Sequence, residues 1–470
     1  MSDRRDDLVR DLTERNVSRR EILKIGARLG LSATALSAIL AEADLASVEA
    51  AGNGPGWPKT NVPEPKSPVT ITVSHAWEAS FWPRQVAFDR AFMKRHPTIK
   101  VRAENTPWVN YLTKYLTQAA GGSLPDLMYC QFAWIQQFIK LGTFIPLDSY
   151  IAKTPDFDLS DFTKPSLIAY KNPKNGQLYS IPYDEGPGML YYNKDLFDKA
   201  RIPYPDETWT LDHLKQVAKE ITHGSGPNKI FGYSSVPSPG DTGLGPYALM
   251  PFGALYLNEP QETKCYIDQP AGIAAMEWWF DFQKKGYVPT PSEAKAMPGG
   301  DPFVFGKTAM ALYGSWETPT LNQNARFRWD LAMWPRGPKA HTTFSEGSGY
   351  SITTSSSQKD AAWIYLNEYI STAGQIFMWA STGRGSPARN SAWPAYLSSK
   401  YAPTHAKLVQ DSLNTIAQHK VIESPVGHKI VTTAQSVWDL VVANKMAVAP
   451  ALKQIHSQIN PFLAQNAQSM

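Results

Sequence analysis

The sequence predicts an α/β protein in two domains, with a largely parallel sheet and its ligand-facing loops gathered at the carboxyl ends of the strands. Three observations lead there. From residue 69 onward, short β-branched runs alternate with amphipathic helical stretches. The chain has 470 residues, too many for a single hydrophobic core even after a leader is removed. Its 43% hydrophobic content is ordinary while 15 Trp and 21 Tyr are many, so the core is ample and disorder is excluded for the bulk of the chain.

Residues 1–50 have the three parts of an export signal. Ser18, Arg19, Arg20, Glu21, Ile22, Leu23 and Lys24 form a basic region, residues 29–40 are mildly apolar, and Val48, Glu49 and Ala50 offer a small-residue exit. The paired arginines point to the twin-arginine route, which carries proteins already folded. No cysteine lies near the exit, so a lipid-modified terminus is not expected, and the apolar run is too short to span a membrane. The mature protein is expected to be periplasmic or otherwise extracytoplasmic. Residues 51–68, dense in Pro and Gly, are expected to be a flexible lead-in.

The folded part then unrolls element by element. Val69, Ile71 and Val73 mark a first strand, a helix runs over 82–95, and a second strand covers 99–103. Residues 109–120 have helical spacing and stop at Gly121 and Gly122, after which Leu127, Met128 and Tyr129 enter the sheet. Trp77, Glu78, Trp108 and Gln131 fall in or near loops at strand ends. A strand at 189–193 follows a Gly-Pro-Gly stretch. Thr210 is placed as the N-cap of a helix reaching Ile221, because a threonine hydroxyl satisfies a free amide of the first turn. Further strands are expected after Gly306, at 329–334 and at 347–352. A helix covers 359–370, and 432–463 is helical with a restart at Pro450.

The net charge of +4 includes the basic leader and gives no sign of nucleic-acid binding. Cys130 and Cys265 are more simply two buried free thiols than a bridge. No CxxC, clustered His, Walker-type loop, Gly-x-Ser-x-Gly elbow or His-Glu-x-x-His helix occurs, so no metal or organic cofactor is expected.

Several segments in their order resemble the family 1 extracellular solute-binding proteins, the maltose-binding-protein-like receptors of carbohydrate ABC importers. They are ITVSHAW from Ile71, GGSLPDL from Gly121, IPYDEGPGMLYYNKDLF from Ile181, TWTLDHL from Thr208, FGKTAMALYGSW from Phe305, EGSGYSI from Glu346 and NPFL from Asn460. The resemblance implies a two-lobed periplasmic-binding-protein fold of type II, its hinge crossed three times and its ligand cleft between the lobes. The crossings would fall at 184–188, 346–350 and 423–430. One lobe would hold 69–184 with 350–424, the other 188–346 with 428–470. It also implies a monomer that delivers a mono- or oligosaccharide to an ABC permease in the cytoplasmic membrane, with no enzymatic activity. Asp184 matches an acidic cleft position, Trp316 an aromatic that stacks on a sugar ring, and Gly347 and Ser348 a loop that approaches the ligand. Cys130 stands where the maltose receptor has an aromatic, and Gln435 and Trp438 where its terminal helix has an aromatic pair.

Sugar recognition needs flat aromatic faces for the C–H patches of a pyranose and planar polar groups for its hydroxyls. Trp77, Trp108, Tyr111, Trp134 and Trp316 are the candidate platforms; Glu78, Asp184, Glu317 and Arg384 are the candidate hydroxyl partners. Trp278 and Trp279 are assigned to packing. A second reading places Arg384 and Arg389, beside Gly383 and Gly385, as an anion cradle for glycerol 3-phosphate or another anionic polyol. A third, the weakest, is a secreted carbohydrate hydrolase using two of Glu78, Asp184, Glu185, Glu317 and Glu346. The sequence selects no pair among these five, and hydroxyl binding alone accounts for them.

Overall fold

The computed structural model describes Ala41 and residues 56–78, 81–241, 243–259, 261–297, 301–419, 422 and 424–468. The expected export signal, Ala41 apart, lies outside the described residues. Residues 56–68 form neither helix nor strand. They are nonetheless held to the body: Trp57 packs edge-on against Phe88 and beneath Arg95, and the Asn61 N–H donates to the Lys153 carbonyl at 2.9 Å.

Among the described residues ten strands form two sheets: β1 (Val69–His75), β2 (Ile99–Asn105), β3 (Leu127–Gln131), β4 (Ile181–Pro187), β5 (Met189–Asn193), β6 (Phe231–Tyr233), β7 (Thr308–Tyr313), β8 (Trp329–Ala332), β9 (Thr342–Ile352) and β10 (Ala417–His419). The first sheet runs β10-β9-β3-β1-β2 with β4 also on β9, and the second runs β6-β7-β5-β8. The expected parallel order holds for β1 with β2 and β3, for β6 with β7 and for β9 with β10. It fails elsewhere. β9 is antiparallel to β3 and β4, and β5 is antiparallel to β7 and β8, so both sheets are mixed. Strands that carry the chain from one sheet to the other enter from the opposite direction to the βαβ strands, and alternation of elements along the chain does not record that.

The helices that matter for the site are α1 (Trp82–Arg95), α2 (Trp108–Ala120), α3 (Phe132–Lys140), α4 (Leu211–Ile221), α5 (Pro270–Lys284), α6 (Lys359–Tyr369), α7 (Gly427–Val442) and α8 (Val448–Gln468). Thr210 caps α4 as expected, its hydroxyl accepting the His213 N–H at 3.1 Å. Leu211, Leu214, Val217, Ala218 and Ile221 are then buried on one face, the i, i+3, i+4 stripe that a core-facing helix requires.

Packing divides the molecule. Phe88 and Phe92 of α1 and Tyr365 and Tyr369 of α6 belong to a first core with β1 and β3. Trp279 of α5, Trp438 of α7 and Leu452 and Ile455 of α8 belong to a second with Leu190 and Met310. Trp279 is fully buried, as the packing assignment required, and so is Trp438. Tyr183 lies in the first core and Leu190 in the second; Phe344 lies in the second and Tyr350 in the first. The chain passes back once more between Ala388, in the first core, and Trp393, which packs beside Met189 and Tyr191 of the second sheet. Cys130 and Cys265 are buried free thiols.

Candidate ligand-binding site

The strands that pass between the two cores assemble the site. In the middle of β9, Ser348 is paired with Gln131 of β3 on one side and Asp184 of β4 on the other. Its N–H donates to Asp184 Oδ1 at 2.7 Å, and its hydroxyl shares a 2.7 Å hydrogen bond with that of Tyr129. Gly347 lets the strands close up: a Cβ there would stand 2.7 Å from the Asp184 carbonyl oxygen. Glu346 faces the same rung and accepts from Gln131 Nε2 at 3.3 Å.

The loop after residue 382 lies along β4, with the Glu185 N–H donating to the Ser386 carbonyl at 3.1 Å. It delivers Arg384. That guanidinium is buried, lies 5.0 Å from the centre of the Trp77 ring and 5.3 Å from that of Phe81, and donates through Nη2 to Glu78 Oε1 at 3.3 Å. Its Nε and Nη1, together with Gln131 Oε1, are buried without a hydrogen-bond partner among the described residues. Leaving such groups unpaired is costly, so donors and an acceptor converge here with unspent hydrogen-bonding capacity.

From the second sheet, β7 ends in the turn Gly314, Ser315, Trp316 and Glu317. Ser315 and Ser386 share a 3.2 Å hydrogen bond between their hydroxyls, joining this turn to the Arg384 loop. The Trp316 indole is half-buried and lies directly over two glycines. A Cβ on Gly186 or Gly314 would come within 2.6 Å and 2.0 Å of its ring.

Loss of solvation, reinforced by neighbouring carboxylates, governs the acids. Asp184 is pushed up to about 7 by burial, against the pull of Arg384 and the Ser348 N–H. Glu317 rises to about 7 through desolvation and then Asp301 and Glu78, and Glu346 to about 8 through desolvation and then Asp241 and Asp184. Burial works against the Arg384 charge, but Glu78, Tyr183 and Asp184 more than offset it and hold its pKa above the ordinary arginine value. The acids near neutrality can therefore donate or accept, which suits hydroxyl partners.

A stability consequence follows for Glu346. The folded state holds its proton up to about pH 8 whereas the unfolded chain releases it near 4.5, so the contribution is full at low pH and lost as pH rises through that window. Glu346→Gln, neutral throughout, should gain on the unliganded wild type progressively between those values. Parallel thermal-unfolding curves at several pH values check this; a constant offset would contradict it.

Of the sequence candidates, Glu78, Gln131, Asp184, Gly347, Ser348 and Arg384 come together. Trp77 sits beside them, but 3% exposed, its Nε1 donating to Gln85 Oε1 at 3.1 Å and its ring packed by Phe81, Tyr183 and Trp379. In this arrangement it is a seat for Arg384 rather than an open face. Tyr111 is fully buried, bonded to Ser74 and to the Tyr129 carbonyl. The two-arginine cradle is not assembled. Arg389 Nη1 donates to Asp161 at 3.1 Å, its Nε to the Ile370 carbonyl at 2.8 Å, and its guanidinium lies 4.2 Å from the centre of the Phe162 ring. Gln435 is likewise engaged, accepting from the Ser238 hydroxyl at 2.7 Å. Tyr129 was missed by sequence reasoning, although strand alternation puts it on the same face as Gln131.

Residues 76–376 match the family model of bacterial extracellular solute-binding proteins. The chain belongs to this family. Its members are binding proteins of the extracellular or periplasmic space that take up carbohydrates in partnership with ABC permeases. This solute-binding protein is 24% identical over 336 residues to the lactose-binding protein of Rhizobium radiobacter, spanning 67% of this chain and 75% of that one. It is 34% identical over 90 residues to the sn-glycerol-3-phosphate-binding periplasmic protein of Rhizobium meliloti, only 18% of this chain and 20% of that one. Among solved structures, the ABC substrate-binding protein of Listeria monocytogenes in complex with cycloalternan superposes with a TM-score of 0.75 at 25% identity, covering 84% of this chain and 99% of that one. The fold is thus the two-lobed one of periplasmic binding proteins, with the ligand cleft between the lobes.

Proposed function

We propose that this protein captures a neutral carbohydrate between its lobes and hands it unaltered to a membrane permease powered by a cytoplasmic ATPase. The charge balance around Arg384 carries the word neutral. One guanidinium stands in the field of Glu78, Asp184 and Glu317, while Arg389 is spent on Asp161. A phosphate would add negative charge to that acidic surround, whereas sugar hydroxyls accept from the guanidinium and donate to the carboxylates. Glycerol 3-phosphate remains the alternative, supported by the short stretch of likeness to its receptor.

Gln131, Asp184, Ser348 and Arg384 form one wall of the cleft, and Trp316 with Glu317 the other. A ligand touching both walls has higher affinity for the closed form and so draws the lobes together. The lobes are 69–184 with 350–388, and 188–346 with the chain from 393 onward; the packing of Trp393, Tyr396 and Val409 with Met189 supports dividing them at 388 instead of 424. No reaction is assigned to the carboxylates. The protein acts as a monomer, without a cofactor and without a lipid anchor, and reaches its compartment through the twin-arginine signal carried by Arg19 and Arg20.

A thermal-shift screen of the mature protein against mono-, di- and oligosaccharides, polyols and glycerol phosphates tests this, because a ligand that binds only the folded state raises the midpoint. A shift with one sugar class, the sugar recovered intact, is expected. A shift with glycerol phosphates alone would transfer the assignment to the alternative, and a cleaved sugar would restore the hydrolase.

A further inference from the structure

Among the tryptophans named from the sequence, Trp108 and Trp134 stack on each other at a centroid distance of 4.7 Å, whereas Trp77 carries the Arg384 guanidinium. Among the described residues that guanidinium makes one hydrogen bond, to Glu78, which is itself exposed. Its plane is therefore set by the rings it lies on. What holds Trp77 lies deeper. Asn105 of β2 grips its backbone, accepting from the Trp77 N–H and donating to the Trp77 carbonyl, both at 2.8 Å. The indole N–H donates to Gln85 Oε1 at 3.1 Å. Gln85 and Asp89 lie one turn apart on the buried face of α1, beside Phe88 and Phe92, where helical periodicity calls for apolar side chains. Burying an amide there costs free energy unless its hydrogen bonds are made, and this amide makes all four. Oε1 accepts from Trp77 and from the Tyr369 hydroxyl; Nε2 donates to Asp89 Oδ1 at 2.8 Å and to the Tyr365 hydroxyl at 2.9 Å, which in turn donates to Asp89 Oδ1 at 2.7 Å. An indole N–H can only donate, and Asp89 with Tyr365 takes both amide hydrogens, so the Gln85 oxygen is the atom turned toward Trp77. Phe81, Tyr183 and Trp379 fill the space around the indole, and the bond to Gln85 selects which of its edges points into the lobe.

We propose that Gln85 is a positioning residue for ligand binding: held by Asp89, Tyr365 and Tyr369, it fixes the indole plane of Trp77, and Trp77 fixes the plane in which Arg384 offers Nε and Nη1 to a ligand. This rests on the reading of Arg384 as a ligand-binding group and extends its support from the cleft into the interior of the first lobe. Gln85 is fully buried and acts through two side chains, without contact with the ligand.

Nuclear magnetic resonance of the unliganded mature protein follows two protons: the Trp77 indole N–H, assigned by its loss in Trp77→Phe, and the Arg384 Nε–H, assigned by its loss in Arg384→Met. In Gln85→Met, which keeps the side chain's length and removes its oxygen, both signals should shift and exchange with solvent about tenfold faster. Gln85→Glu retains an oxygen for the indole and should restore most of the wild-type pattern. Phe92→Leu, on the same helix face, should lower the melting midpoint and leave both signals in place. Titration calorimetry with maltose and lactose adds the functional readout. Gln85→Met should weaken the sugar that binds by about tenfold, and by much less in an Arg384→Lys background, whose ammonium has no plane to orient. An Arg384 signal unmoved in Gln85→Met, equal movement in Phe92→Leu, or the same loss of affinity in both backgrounds would overturn the positioning role. If Gln85→Met does not fold, Trp77→Phe deletes the donor in place of the acceptor, and an Arg384 signal unmoved there would overturn it equally. Failure of both sugars to bind wild type would count against the carbohydrate reading, while the two protons still decide this one.

Discussion

Arg384→Met should abolish tight sugar binding while leaving a folded protein. The guanidinium is buried against Trp77 and Phe81 with one nitrogen on Glu78 and two without a partner among the described residues, and on the proposed reading a ligand supplies the acceptors those nitrogens lack. Truncating one partner of a buried, charge-assisted contact typically costs about 2–5 kcal/mol, or roughly thirtyfold to several thousandfold in affinity. Calorimetry with the sugar identified by the screen measures it. Arg384→Lys keeps the charge but not the planar fork, so it should recover only part of the loss. The methionine variant also leaves Asp184 and Glu317 without their only opposing cation among the contributors to their shifts, so it should be less stable than wild type above about pH 7, where both acids ionise. Wild-type affinity in Arg384→Met would remove this residue from the site.

Trp316→Ala should weaken binding by about 1–3 kcal/mol, the usual cost of losing an aromatic anchor. The ring is packed closely against Gly186 of β4, where the chain passes between the cores, and against Gly314 of its own turn. It can therefore stack on a sugar only in a fixed orientation, and its contact with Gly186 couples the second lobe to the crossing strand. Trp316→Phe should keep most of the affinity. Quenching or enhancement of tryptophan fluorescence on sugar addition, present in wild type and diminished in Trp316→Phe, would place this ring at the ligand. Unchanged affinity in a folded Trp316→Ala protein would contradict the assignment.

Local structure was legible because it is local. Thr210 capping α4, the stripe from Leu211 to Ile221 and the β-branched run of β1 are each decided within a few residues. The site was legible only as a list of residue types. Which of those residues meet depends on register: Ser348 lies between Gln131 and Asp184 because β9 is antiparallel to both β3 and β4, and nothing within the segment EGSGYSI records that direction. Trp77 and Arg389 illustrate the same limit. Both stand at strand or loop ends with the right chemistry, but Gln85 claims one and Asp161 the other, from 8 and 228 positions away. Glu346 was named only for its place at a crossing and as one of several acids, and its bond to Gln131 spans 215 positions.

The central claim, that a sugar is captured by closing two lobes over Arg384, is tested most directly by small-angle X-ray scattering of the mature protein with and without a saturating saccharide from the screen. The account predicts a smaller radius of gyration with the sugar bound, and no such change in Arg384→Met at the same concentration. A saturated wild-type protein whose radius of gyration is unchanged would contradict it.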